Sequence, residues 1–285
     1  MGCGDVARRA IPLLTSRWRV IALVRNVDPA LRQAGVTQIR GDLDFPASLR
    51  RLGGLAQAVL YSAPPPAEGE GDPRMRRLLA ALARGRSLPR RLAYISTTGV
   101  YGDCLGAWVP ETRPLAAKSA RARRRVDAER RLRRFGRRAC RVSILRAPGI
   151  YAAERLPLER LRRGDPVLLA AEDSYTNHIH ADDLARACVA ALKRGRPNRS
   201  YNISDDSDLK MADWFDKLAD AFALPRPPRV TRAEAQTRLS PVLLSFMNES
   251  RRLVNTRMKQ ELKLRLRYPS VDAALSSQGT PPCSG

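Results

Sequence analysis

Residues 91–103, RLAYISTTGVYGD, decide the fold. An apolar run from Leu92 to Ile95 flows into Ser96, Thr97 and Thr98 and then into a glycine-containing turn. A short apolar run bounded by turn residues reads as a buried strand, here with three hydroxyls at its C-terminal tip. In an open α/β sheet, that tip is where ligands bind. Downstream, a helical run from Ala116 to Phe135 is dense in Arg, carries Glu129 and returns over the tip.

Upstream, Gly2-Cys3-Gly4-Asp5-Val6-Ala7 fits G-x-G-x-x-A and opens a helical run from Val6 to about Ser16. In a dinucleotide fold Gly2 makes the tight turn and Gly4 lets the pyrophosphate approach. Asp5 and Val6 then start the helix whose N-terminus faces the phosphates. Trp18 to Val24 follows as a buried strand, ending at Arg25, which suits the 2′-phosphate of NADP, with NAD also admitted. Only Met1 precedes the glycine motif. The expectation is therefore a sheet whose first strand is truncated, with about five apolar residues encoded upstream. Further strands are expected at Gln38–Arg40, Ala58–Ser62 and Arg141–Leu145, and a helix from Pro73 through Ala83. Ala63 and Pro64 open a proline run that ends the Ala58–Ser62 strand, leaving its tip stiff and exposed over the cofactor position.

Three segments share a resemblance: STTGVYG at 96–102, LRAPGIY at 145–151 and IHADDL at 179–184. They resemble the extended short-chain dehydrogenase/reductases of the NAD-dependent epimerase/dehydratase group, and the chain looks like the atypical branch described as YeeZ-like. The resemblance implies an α/β fold, a doubly wound parallel sheet of Rossmann-like type, with a small C-terminal substrate lobe. The dinucleotide-binding domain would span 1–150 and 176–204, and the substrate lobe 151–175 and 205–275. Residues 276–285 have the composition of a disordered tail.

The same resemblance implies the site. Thr97 stands where the family places its Ser or Thr, and Asp42 and Leu43 at the adenine contact. Ser96, Ala63, Pro64 and Pro148 fall along the cofactor. The family helix carries Tyr-x-x-x-Lys with an acidic residue four positions beyond the Lys. Counting back from Glu129 puts Arg125 at the Lys position and Arg121 at the Tyr position. A guanidinium stays protonated at any working pH, so Arg121 cannot exchange a proton with a hydroxyl. Arg121 and Arg125 are instead read as binders of an anionic group, with Tyr101, Tyr151 and Tyr175 as candidate proton routes. The family's Gly-Pro-Gly-Arg is replaced here by Ala152-Ala153-Glu154-Arg155. Asp182 or Asp183 is expected to cap the helix that follows IHA; the two histidines are read as structural, with a place at the rim of the site left open to His178.

Composition narrows the function classes. The chain has 285 residues and a net charge of +24. Arg supplies 46 of the 52 basic residues and is spread through every segment, which predicts non-specific attraction to polyanions and not a nucleic-acid site. Five scattered cysteines without C-x-x-C spacing point to reduced thiols and a cytoplasmic protein. The only two histidines, His178 and His180, lack a third ligand at metal-site spacing, so no metal is expected. No apolar run is long enough to span a membrane. Two functions stay open: an NADP-linked oxidoreductase or epimerase on a hydroxyl-bearing, nucleotide-sugar-like substrate, and a non-catalytic NADP(H)-binding sensor or scaffold. The family often builds dimers through its helices, which makes a homodimer a further expected partner arrangement.

Overall fold

The computed structural model describes residues 1–277. The deciding strand runs over Arg91–Thr97 and is central in a parallel sheet ordered Arg199–Asn202, Arg141–Ala147, Arg91–Thr97, Ala58–Tyr61. Helices Pro73–Ala83, Ala120–Phe135 and Ala181–Arg194 make the crossovers. Side chains alternate across this strand. Leu92 and Tyr94 pack with the first two crossover helices, whereas Ala93 and Ile95 pack with Asp5–Thr15 and Ala181–Arg194. Both faces are thus covered, as a parallel sheet requires.

Ile21–Val24 and Thr37–Arg40 pair in parallel as a separate two-stranded sheet. Met1 lies along the end of the Ala58–Tyr61 strand: its amino group donates to the Leu60 carbonyl at 2.8 Å, and the Ser62 N–H donates to the Met1 carbonyl at 3.0 Å. Residues from 151–168, 209–224 and 268–275 build another apolar cluster around Tyr151, Trp214 and Phe215. Among the described residues no helix is long and apolar enough to cross a membrane.

Several boundaries differ from the sequence reading, each for a local reason. The arginine helix starts at Ala120 and not Ala116, because the Ser119 side chain accepts from the Ala122 N–H and closes its first turn. The stretch 231–248 forms two helices, Arg232–Arg238 and Pro241–Met247, because Ser240 caps the second and Pro241 stands in its first turn. Ser276 and Ser277 belong to the helix Val271–Ser277, so the expected tail loses them; its remainder lies outside the described residues.

The cap of the Ala181–Arg194 helix is a correction. His180, and neither aspartate, caps it, through Nδ1 accepting from the Asp182 N–H at 3.2 Å. Asp183 is instead fully buried and accepts from the backbone N–H groups of Arg267 and Tyr268, at 2.9 and 2.8 Å, and from Arg186 at 2.6 Å. One carboxylate therefore fastens the C-terminal segment onto the helix. Charge-assisted bonds of this kind contribute about 1.5–3 kcal/mol each. Asp183→Asn is expected to lower unfolding stability by about 3 kcal/mol, read as a shift in urea midpoint; an unchanged midpoint would contradict the clasp.

Candidate functional site at the strand tip

The tip of Arg91–Thr97 is held from below. The Ser96 hydroxyl donates to Glu129 Oε1 at 2.7 Å. Glu129 also accepts from Arg146, Nε to Oε1 at 3.2 Å and Nη2 to Oε2 at 2.7 Å, with both side chains almost wholly buried. Arg146 Nη1 donates onward to the Tyr101 hydroxyl at 2.8 Å, which donates to Asn202 Oδ1 at 2.7 Å. Burial alone would lower the Arg146 pKa; the Glu129 carboxylate more than reverses this and holds the guanidinium charged. A paired, multiply bonded buried charge is tolerable, whereas an unpaired one is costly.

Ser96 is therefore turned into the protein and its hydroxyl is spent on Glu129. Thr97 is the half-buried hydroxyl of the tip; its Oγ1 accepts from the Gly99 N–H at 3.3 Å. Over it runs the Ala120–Phe135 helix, with Ala122 packed beside Gly99. Arg125 Nη1 donates to the Ile95 carbonyl at 2.8 Å and to the Tyr94 hydroxyl at 3.1 Å. The guanidinium is pinned one residue before Ser96, where it is half-buried. Arg121 is exposed, one turn earlier on the helix.

The tyrosines named as proton routes are engaged elsewhere. Tyr101 is consumed by Arg146 and Asn202. Tyr151 is buried and donates to Asp205 Oδ2 at 3.2 Å. Tyr175 packs under Arg252, whose guanidinium carbon lies 4.6 Å from its ring centre. Burial raises the Tyr94, Tyr101 and Tyr151 pKa values, which disfavours their phenolates.

At the glycine turn, Gly2 has φ +82°, and a Cβ there would lie 2.4 Å from the Ala63 nitrogen. Gly4 begins the Asp5–Thr15 helix, with no side chain capping it and open space around its α-carbon. Uncapped N–H groups beside bare glycines suit a pyrophosphate. Val6 is buried in the main core. Asp5 is held by Arg9 and Arg155, at 2.7 and 2.8 Å; burial would raise its pKa, but these arginines lower it overall. Arg9 also reaches Asp182 at 2.5 Å, and Glu154. The Ala152–Arg155 segment is thereby clasped to the glycine-turn helix, through two charged residues whose partners lie too far away in sequence to be paired by spacing.

Arg25 is exposed at the end of Ile21–Val24. Asp42 Oδ1 accepts from the Asp44 N–H at 2.9 Å, a local turn, while Leu43 is buried. The Pro64 carbonyl accepts from Arg74 at 3.1 Å. Tyr61 and Tyr94 are the last residues paired between their two strands, and two residues on come Ala63 and Ser96. Thr97 pairs with Ala147, which precedes Pro148. Gly2, Ala63, Ser96, Thr97 and Pro148 thus share the C-terminal edge of the sheet.

His178 is not at the rim. It is buried, stacked on Trp214 at 4.1 Å between ring centres, and burial pushes its pKa down to about 3. Among the described residues no group of three or more His, Cys, Asp or Glu could hold a metal. Asp205, missed from sequence, is pushed up to about 7 by burial and is held by Tyr151 and the Ser207 N–H.

Comparison with known proteins points the same way. A family model described as NAD(P)H-binding matches residues 2–195. A conserved protein of unknown function from Silicibacter pomeroyi is 32% identical, with a TM-score of 0.78 over 97% of this chain and 95% of that one. DesIV, a dTDP-glucose 4,6-dehydratase from Streptomyces venezuelae solved with NAD bound, is 19% identical, with a TM-score of 0.75 over 97% and 94%. PA4631, a nucleoside-diphosphate-sugar epimerase from Pseudomonas aeruginosa, is 19% identical, with a TM-score of 0.75 over 96% and 92%. No curated protein matches the sequence.

Two buried groups give measurable consequences. Glu129→Ala strands the Arg146 cation and is expected to cost about 3–5 kcal/mol in urea unfolding, most of it regained in Glu129→Ala/Arg146→Met. A double variant no more stable than the single one would contradict this. Asp205 titrates higher when folded than unfolded, so its stabilising contribution is full at acid pH. It declines from the ordinary carboxyl range up to about pH 7 and is flat above. Asp205→Asn should flatten that part of the pH–Tm curve; an unchanged slope would refute the assignment.

Proposed function

The chain belongs to the NAD(P)H-binding family, and on that premise we propose that it binds NADP(H) along the Gly2–Ala63–Thr97 edge as an oxidoreductase or epimerase. Its substrate is a hydroxyl-bearing molecule of the nucleotide-sugar type, by analogy with the dehydratase and epimerase that share its fold. The missing Tyr-x-x-x-Lys pair supports a place in the YeeZ-like branch, and the cysteine usage supports a cytoplasmic setting.

One observation carries this reading: Arg125 is pinned by the Ile95 carbonyl and the Tyr94 hydroxyl at the strand tip that ends in Thr97. The bound cofactor supplies or accepts the hydride. The protein supplies the rest. Gly2 and Gly4 leave room at an uncapped helix N-terminus for the pyrophosphate, and Arg25 offers a cation to the 2′-phosphate. The Thr97 hydroxyl, with Oγ1 already accepting from Gly99, donates to the reacting oxygen and orients it. Arg125 is a fixed cation that lowers the energy of negative charge developing near the tip, without itself exchanging a proton. The exposed Arg121 takes an anionic group of the substrate. The proton passes to solvent.

A second reading, a non-catalytic NADP(H)-binding sensor or scaffold, is favoured by one fact: Tyr101 and Tyr151 are locked into other networks. Turnover separates the two. Fluorescence titration is expected to show saturable NADPH binding, weakened about tenfold by Arg25→Ala, or about 1.4 kcal/mol, with NADH unaffected. Oxidation or epimerisation within a panel of nucleoside-diphosphate sugars, lost in Thr97→Val, supports the enzyme. Binding without turnover supports the module, and no binding of either nucleotide contradicts both.

A further inference from the structure

The helices Pro73–Ala83 and Ala120–Phe135 lie side by side over one face of the sheet and leave a groove of about 330 Å³ between them. Leu79, Ala80, Ala83 and Phe135 line its apolar part, and Arg76, Arg131, Arg134 and Arg138 its rim. The charge on this rim is not neutralised. Arg131 is paired with Asp127 at 2.8 Å, but Arg76, Arg134 and Arg138 have no ion pair or side-chain hydrogen bond among the described residues. Other helical arginines do find carboxylates, as Arg9, Arg74, Arg123 and Arg186 do.

Helix stability explains only part of the rim: Arg134 stands in the last turn of its helix, where the dipole favours a cation, and Arg131 pairs with Asp127 one turn back. Arg76 stands in the first turn of its helix, which contains no acidic residue, so the positive end of the dipole disfavours it. Arg130 and Arg134 are exposed and four residues apart on their helix, a like-charge spacing that costs a few tenths of a kcal/mol.

We propose that this groove is a docking site for an acidic amphipathic helix of a partner protein. The helix would lay its apolar side on Leu79, Ala80, Ala83 and Phe135, and its carboxylates would meet the arginine rim. The small Ala80 and Ala83 side chains let a third helix approach. A second copy of this chain would oppose arginine to arginine across the contact. A nucleic acid would satisfy the charge and leave the apolar part unused. The groove stands apart from the Gly2–Ala63–Thr97 edge proposed to hold the nucleotide.

Two synthetic 18-residue peptides of identical Leu, Ala and Glu composition test it against the full chain by fluorescence anisotropy at 150 mM salt. In one, leucines recur with helical spacing; in the other they are scrambled. The patterned peptide is expected to bind at least tenfold more tightly. Arg134→Glu/Arg138→Glu should weaken it at least tenfold, while Arg134→Lys/Arg138→Lys and the remote Arg50→Glu/Arg51→Glu retain it, all with unchanged thermal melts. Equal binding of both peptides overturns the proposal, as does insensitivity to Arg134→Glu/Arg138→Glu. Duplex DNA that binds through the same arginines more tightly than the patterned peptide overturns it in favour of a polyanion site. A dimer in sedimentation that Arg134→Glu dissociates overturns it in favour of self-association.

Discussion

One buried carboxylate organises the site. Glu129 takes a hydrogen bond from Ser96, at the end of the central strand, and two from Arg146, on the neighbouring strand. A side chain from the covering helix therefore locks two adjacent strand ends at one height. Through Arg146 the lock extends to Tyr101 and Asn202, and hence to the outer strand Arg199–Asn202. Burying a carboxylate and a guanidinium costs several kcal/mol of hydration per ion, recovered only where each charge is fully bonded. That condition fixes the geometry of the strand tip, and Thr97 and Arg125 inherit it.

Consequences follow for the chemistry. Because Glu129 uses the Ser96 hydroxyl, Thr97 is left as the half-buried hydroxyl at the tip. Because Arg125 is anchored on the sheet's own Ile95 carbonyl, the cation at this position is part of the scaffold. Arg133, one turn beyond Glu129, donates to the Asn198 carbonyl and the Ser200 hydroxyl, so the helix braces the outer strand as well. The arginines of this helix differ in role. Arg125 and Arg133 anchor it to strand ends and Arg123 and Arg124 hold the 69–70 loop, while Arg131 and Arg134 line the groove.

Much of the fold was legible because it rests on local pattern. Apolar runs broken by Gly and Pro gave the strands of the main sheet, and the helix Pro73–Ala83 was read with its true ends. Boundaries slipped where a capping side chain decided them, as Ser119 did for the arginine helix; a Ser before the run was the available signal. Roles slipped where they depend on partners distant in sequence. Nothing near Asp183 announces Arg267 and Tyr268, and nothing near Ser96 announces Glu129, thirty-three residues on. A structural role for His178 agrees with its stacking under Trp214, but that partner, thirty-six residues on, is what removes it from the rim. Asp205 was unremarkable in sequence, since only burial against Tyr151 distinguishes it from the adjacent Asp206.

The central claim is that a pyridine nucleotide lies along the Gly2–Ala63–Thr97 edge, with Arg125 as a fixed cation in place of a mobile proton carrier. A crystal structure of the NADPH complex tests this most directly. The account predicts pyrophosphate at Gly2 and Gly4, the nicotinamide end beside Thr97, and Arg125 still bonded to the Ile95 carbonyl. NADPH bound elsewhere, or a tyrosine hydroxyl standing next to Thr97 with Arg125 displaced, would contradict it.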